Sequence, residues 1–184
     1  MKRAVLIGVL LTGFALPAMA GETCAMPDPM AAEAEREPLF ESLRKAKSER
    51  EGRARSRIIW DLWYVAPDMK AQTLLDRGVR KIREADYAGA QRILSELVEY
   101  CPLFPEGWNQ RAFARFLADD LDGSLEDLDR TLQLEPRHFG ALAGRGLTLL
   151  RQGRQLPAHR ALRDAVAIHP WLTERHLLPP EQKT

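Results

Sequence analysis

Few residues in this chain have the type and spacing that chemistry needs. Cys24 and Cys101 stand far apart, with no Cys-x-x-Cys spacing and no histidine beside either, so nothing marks a reactive thiol. They either bridge or remain two unpaired thiols, and spacing alone carries no geometry with which to choose. The four histidines (His138, His159, His169 and His176) lack the spacing that sets two imidazoles on one helix face for a metal. There is no Gly-x-Ser-x-Gly elbow, no P-loop and no dinucleotide fingerprint. The pair Asp119-Asp120 falls at a turn, whereas a general acid and base need a shielded cleft. The expectation is therefore no enzyme, no cofactor and no metal. What remains is recognition. Arg77, Arg111 and Arg145 recur at one spacing, and guanidinium forks suit phosphate or carboxylate groups. A residue that recurs with a repeat more often serves the repeat, so these heads are expected to meet acids such as Asp127 or Asp129. Arg137 and His138 are candidate polar contacts for a partner, with a helix-start role as the plainer reading.

Composition bounds the class. The 184 residues carry 27 Lys+Arg and 26 Asp+Glu, 45% hydrophobic and 29% charged residues, which describes a globular chain rather than a disordered one. A net charge of +1 gives no broad electrostatic case for nucleic acid. Residues 1–20 pair a basic start (Lys2, Arg3) with the apolar run Ala4 to Leu16 and then Ala18-Met19-Ala20, the small-x-small pattern of a signal-peptidase site. The apolar run is short for a bilayer span of roughly 20 residues. Cleavage after Ala20 is expected, with no membrane span thereafter, in the style of bacterial export to the periplasm or beyond. That compartment permits a disulfide.

The elements that would position any site follow from a repeat. Pro102, Pro136 and Pro170 are 34 residues apart, and other columns keep step: Leu94, Leu128, Leu162; Ala90, Ser124, Ala158; Gly78, Ala112, Gly146; Leu74, Trp108, Leu142. Small residues let two helices approach, the leucines fill space between neighbouring hairpins, and proline ends the second helix. The spacing predicts first helices over 70–84, 105–119 and 139–152, and second helices over 87–101, 122–135 and 156–169. Turns are expected at Ala85-Asp86, Asp122-Gly123 and Gly153-Arg154.

Over residues 71–170 this pattern resembles the tetratricopeptide repeat, W-x2-L-G-x2-Y, A-x3-F and P over 34 residues. It departs in the second motif position, which is Arg77, Arg111 and Arg145, and in the weak Tyr column Lys81, Arg115 and Leu149. The resemblance implies an all-α, right-handed helical-hairpin solenoid of three units. It also implies a binding scaffold rather than a catalyst, with an envelope protein or peptide segment as partner. Residues 1–20 are then the signal peptide, 21–36 a flexible tail, and 37–67 a degenerate capping hairpin broken at Gly52. Residues 68–170 are the repeats, and 171–184 a C-terminal cap in which Trp171 covers the last hairpin.

In that register the inner face presents Leu75, Val79 and Ile82 from the first copy, Asn109, Phe113 and Phe116 from the second, and Ala143, Leu147 and Leu150 from the third. The lining is more apolar than a groove for charged peptide ends. Either the helix carrying Trp60 and Trp63 packs against it from within, or the face is open to a partner. Internal packing is favoured, because large exposed apolar patches are uncommon on monomers. Self-association through the same face, making a structural oligomer of the envelope, is the alternative function.

Overall fold

The computed structural model describes residues 24–180; the expected signal peptide and its cleavage site lie outside the described residues. Eight α-helices and one 3-10 turn make up the described chain, with no strand among those residues. The helices are α1 (Pro29–Arg44), α2 (Glu49–Trp63), α3 (Met69–Arg83), α4 (Tyr87–Tyr100), α5 (Pro105–Leu117), α6 (Leu121–Leu134), α7 (Phe139–Arg151) and α8 (Gln155–Ile168), followed by the turn Thr173–Leu177. No helix among the described residues is long and apolar enough to cross a membrane.

The 34-residue period sets three hairpins, α3/α4, α5/α6 and α7/α8, with α4 stacked on α5 and α6 on α7. Each hairpin closes at its small column. A Cβ on Gly78 would lie 2.5 Å from Leu94 Cδ2, and one on Gly146 would lie 2.6 Å from Leu162 Cγ. The leucine column thus packs inside its own hairpin, where the glycine opposite leaves it room, and Leu94 also shares a core with Phe104 and Ala114 of the next hairpin. Leu128 does both: it clusters with Ala112 of its own hairpin and touches Gly144 of the next. The turns also repeat. Ala85, Asp119 and Gly153, again 34 apart, all adopt positive φ. The second turn therefore lies at Asp119-Asp120, not at Asp122-Gly123. Gly123 sits inside α6, where its N–H donates to the capping Asp120 Oδ1 at 3.0 Å. The same cap occurs one repeat upstream, where Asp86 accepts from the Gly89 N–H at 2.9 Å.

The N-terminal hairpin corrects two expectations. Residues 29–36 are helical rather than a loose tail: α1 starts at Pro29, capped by Asp28, and runs through Pro38. Gly52 does not break a helix. It lies within α2, whose start is set by Ser48 and Glu51: the Glu51 N–H donates to Ser48 Oγ at 3.3 Å, and the Lys47 N–H to Glu51 Oε2 at 3.0 Å.

This hairpin forms a strap across the stack. Both of its ends belong to the first repeat, because Cys24, Met26, Tyr64 and Ala66 pack with the α3/α4 core and Cys24 is disulfide-bonded to Cys101 at the end of α4. Its middle belongs to the last repeat: Phe40, Leu43, Ile59 and Trp63 share a core with Phe139. Two glycines admit the crossing. A Cβ on Gly140 would lie 2.4 Å from the Trp60 ring, and one on Gly52 would lie 2.6 Å from Trp171 Cβ. Trp171 therefore seats on α2, donating from Nε1 to Ala46 O at 3.0 Å, and joins the C-terminal segment to the strap. Ion pairs line the same seam. Arg36 meets the buried Glu135 at 3.0 Å, Arg137 meets Glu33 and Glu37, and Arg175 meets Glu49 at 3.2 Å.

Candidate binding site

The inner face is divided in two. On one side the strap fills it; on the other a cavity of about 530 Å³ stays open.

The filled side is organised by one carboxyl group. Glu106, in the first turn of α5, is 1% exposed. It accepts from Asn109 Nδ2 at 3.1 Å, from Gln110 Nε2 at 2.6 Å and from His138 Nε2 at 2.9 Å. The Ala141 N–H donates to His138 Nδ1 at 3.1 Å, so Nδ1 is the acceptor and the ring proton sits on Nε2, facing Glu106. Gln110 Nε2 also donates to the Tyr64 hydroxyl at 2.7 Å. Burial, and after it the neighbouring Glu106, push the Tyr64 pKa above its usual value. Trp63 stacks on the His138 ring at 3.8 Å, and Trp60 meets it edge-on at 5.5 Å. The histidine thus caps α7, holds Glu106 and carries the strap. A His–Glu pair could in principle move protons, but both ring nitrogens are engaged and neither residue lines the cavity.

The open side is apolar. Val79 and Ile82 of α3, Phe113 and Phe116 of α5, and Leu147 of α7 line it, over a floor of Ala143, Gly140 and Gly144. Trp60 and Tyr64 wall it off from the strap side, and His169, Leu172 and Glu174 line it from the end of α8 and beyond. Phe113 is 47% exposed, the most exposed aromatic side chain among the described residues. Among the described residues no group of three or more His, Cys, Asp or Glu could hold a metal ion.

Seven of the inner-face residues expected from sequence line this cavity: Val79, Ile82, Asn109, Phe113, Phe116, Ala143 and Leu147. Four do not. Leu75 is fully buried in the first-repeat core. Leu150 lies outside the cavity, at the last turn of α7 where the chain reverses through Gly153. His138 is fully buried beneath Trp63 and so out of a partner's reach. Arg137 is held by Glu33 and Glu37 and lies 4.1 Å over the Phe40 ring. The arginine column has its structural role in two copies: Arg111 forks onto Asp127 at 2.7 and 2.8 Å, and Arg145 meets Asp129 at 2.8 Å. Sequence reading missed Glu106, Gln110, Tyr64 and His169. None belongs to a repeating column, and an acid in a helix's first turn reads as an exposed dipole partner.

His169, capping the end of α8, is 4% exposed and packs edge-on to Phe139. Burial, and then the Arg175 charge, lower its pKa from 6.5 to about 4. Between those values the unfolded chain binds a proton that the folded chain does not. Stability at this group is therefore whole above pH 6.5 and falls as pH drops toward 4, by up to about 1.4 kcal/mol per pH unit. Urea unfolding at pH 7 and pH 5 should show a smaller difference in a His169→Phe variant than in the parent. Equal differences would remove His169 from the account.

No protein-family model matches the chain. A TPR repeat-containing protein of Rhizobium etli is 26% identical over 132 residues, covering 72% of this chain and 65% of that one. A tetratricopeptide repeat protein 36 homolog of Nematostella vectensis is 32% identical over 67 residues, covering 36% of this chain and 37% of that one. The chain thus spans less than two thirds of either relative. Among solved structures, the first TPR of Spaghetti (RPAP3) bound to the HSP90 peptide SRMEEVD superposes with a TM-score of 0.57 at 18% identity, covering 59% of this chain and 86% of that one. The chain is an all-helical TPR-like protein. In this TPR-like stack the strap is what narrows the inner face to one cavity.

Proposed function

We propose that the chain is a non-catalytic protein-interaction scaffold that receives a partner segment in the apolar cavity beside α2. One observation carries this reading: Phe113 and Phe116 project into an open, mostly apolar cavity on the inner face, with Phe113 half exposed. Water-facing aromatics in a concave site of this size are the usual mark of a binding surface. The solved neighbour that holds a peptide supports the class of activity but not its ligand. That peptide, SRMEEVD, ends in acids, whereas among the described residues Arg83 is the only Lys or Arg lining this cavity. We further propose that the protein works as an adaptor or assembly factor in the periplasm or outside the cell. The pattern of residues 1–20 and the Cys24–Cys101 bridge, which suits an oxidising compartment, support that placement.

A photoreactive residue at position 116, crosslinked in living cells, tests the reading. One recurrent envelope protein is expected, lost on Phe113→Asp while the circular dichroism stays unchanged. Crosslinks confined to the Trp60 helix would sink it, and crosslinks to a second copy would make the chain a self-associating structural protein instead.

A further inference from the structure

We infer that the occupant of the cavity is a short amphipathic helix of a partner protein, acidic at one end and basic at the other. This rests on the groove reading above and names the kind of partner that fits.

The secondary structure of the occupant follows from hydrogen bonding. An extended segment needs partners for its amide groups, and an apolar wall that supplies none leaves them unpaired at a cost. Here the backbone of the lining helices is engaged within those helices, apart from their ends. The side-chain donors of Asn109, Gln110 and Thr148 are engaged too, and among the described residues His169 Nδ1 is the one buried side-chain polar atom of the lining without a partner. Asn109 gives its amide N–H groups to Glu106, and Gln110 gives its own to Glu106 and Tyr64. Thr148 donates to Gly144 O at 2.8 Å and lies against Ser124. A helix satisfies its own backbone and asks only for apolar contact, which Val79, Ile82, Phe113, Phe116 and Leu147 provide. The chain already shows the fit: α2, a helix, covers the other half of the same face with Trp60 and Trp63. The length is limited, because the cavity holds only about 530 Å³ and is bounded by Trp60, Tyr64 and the segment His169 to Glu174.

The charges follow from the rim. Its two charged residues come from opposite ends of the stack: Arg83 from the last turn of α3, and Glu174 from beyond α8. A helix lying between them meets one cation and one anion, so a mixed pair of end charges is complementary and two like charges are not.

The test uses the disulfide-bonded mature chain and three synthetic amphipathic peptides of about four turns, each stapled into a helix with Leu and Phe on one face. Their ends carry Lys and Glu, Lys and Lys, or Glu and Glu. A fourth peptide has the Lys/Glu composition but is interrupted by prolines. Binding is read by fluorescence anisotropy at low salt. The Lys/Glu helix should bind saturably, about threefold more tightly than either like-charged helix, and more than about tenfold more weakly to Phe113→Asp. Arg83→Glu, which leaves two acids on the rim, should shift the preference to the Lys/Lys helix. Equal affinity for all three helices, with no shift in Arg83→Glu, overturns the charge assignment. Equal affinity for the proline-interrupted peptide, with the same Phe113 dependence, overturns the helix while the groove reading stands. If no peptide binds, the position 116 crosslinks separate the cases: a captured partner overturns only the helix, and no captured partner overturns the groove reading as well.

Discussion

Glu106→Ala should lower the unfolding free energy by about 3–5 kcal/mol, far more than its single carboxyl group would cost on a surface. The reason is what the substitution leaves behind. His138 Nε2, Asn109 Nδ2 and Gln110 Nε2 all donate to this group, and the three residues are at most 7% exposed. Each buried donor without a partner costs about 1–3 kcal/mol. The loss also spreads, because His138 is the platform on which Trp63 stacks. The strap should loosen before the hairpins do, with faster hydrogen exchange in α2 than in α4 or α6. Glu106→Gln, which keeps one acceptor oxygen, should fall between the parent and the alanine variant. Denaturant titrations followed by circular dichroism measure all three. A cost below about 1 kcal/mol for the alanine variant would mean that water replaces the carboxyl group and that the network does not hold the strap.

The second large effect belongs to the disulfide. Cys24 and Cys101 are separated by 77 residues and joined with Cα atoms 5.1 Å apart. Closing a loop of that length restricts the unfolded chain by about 4.5 kcal/mol in the chain-entropy account. Replacing both cysteines with serine should remove most of that. It should also free the chain before α1, since Cys24 and Met26 pack with the first-repeat core beside the bridge. The thermal midpoint of the double variant, and of the parent under reductant, should fall together. A midpoint unchanged in both would show that the strap is held by its packing contacts without the bridge. The two predictions separate the strap's two anchors, one covalent at the first repeat and one packed at the last.

The repeat was legible because it is local. Gly78 meets Leu94, and Gly146 meets Leu162, 16 residues apart in each case, and the same pair of types recurs two periods later. A contact made inside each copy writes itself into the sequence as a column. For the same reason seven of the inner-face residues could be read from register, since Val79, Phe113 and Leu147 repeat the same position on successive first helices. The arginine column was likewise readable as structural, and Arg111 does fork onto Asp127.

The strap left no such column. Gly140 admits Trp60 and Gly52 admits Trp171, but each contact is made once, between residues 80 and 119 positions apart. The spacing of Pro67 from Pro102 describes a hairpin of the right length and says nothing about which repeat it covers. His138 and Arg137 show the consequence. Both were candidate groove contacts because their loop lies near the inner face, with a helix-start role as the plainer reading. His138 does cap α7, and both are taken by the strap, one stacked on Trp63 and the other paired with Glu33 and Glu37. The sequence by itself thus determined the hairpins, their register and the apolar character of the inner face, because those depend on short-range periodicity and neighbour packing. Only the tertiary structure decided how much of that face stays open, because that depends on single long-range contacts, made where two glycines leave room for two tryptophans.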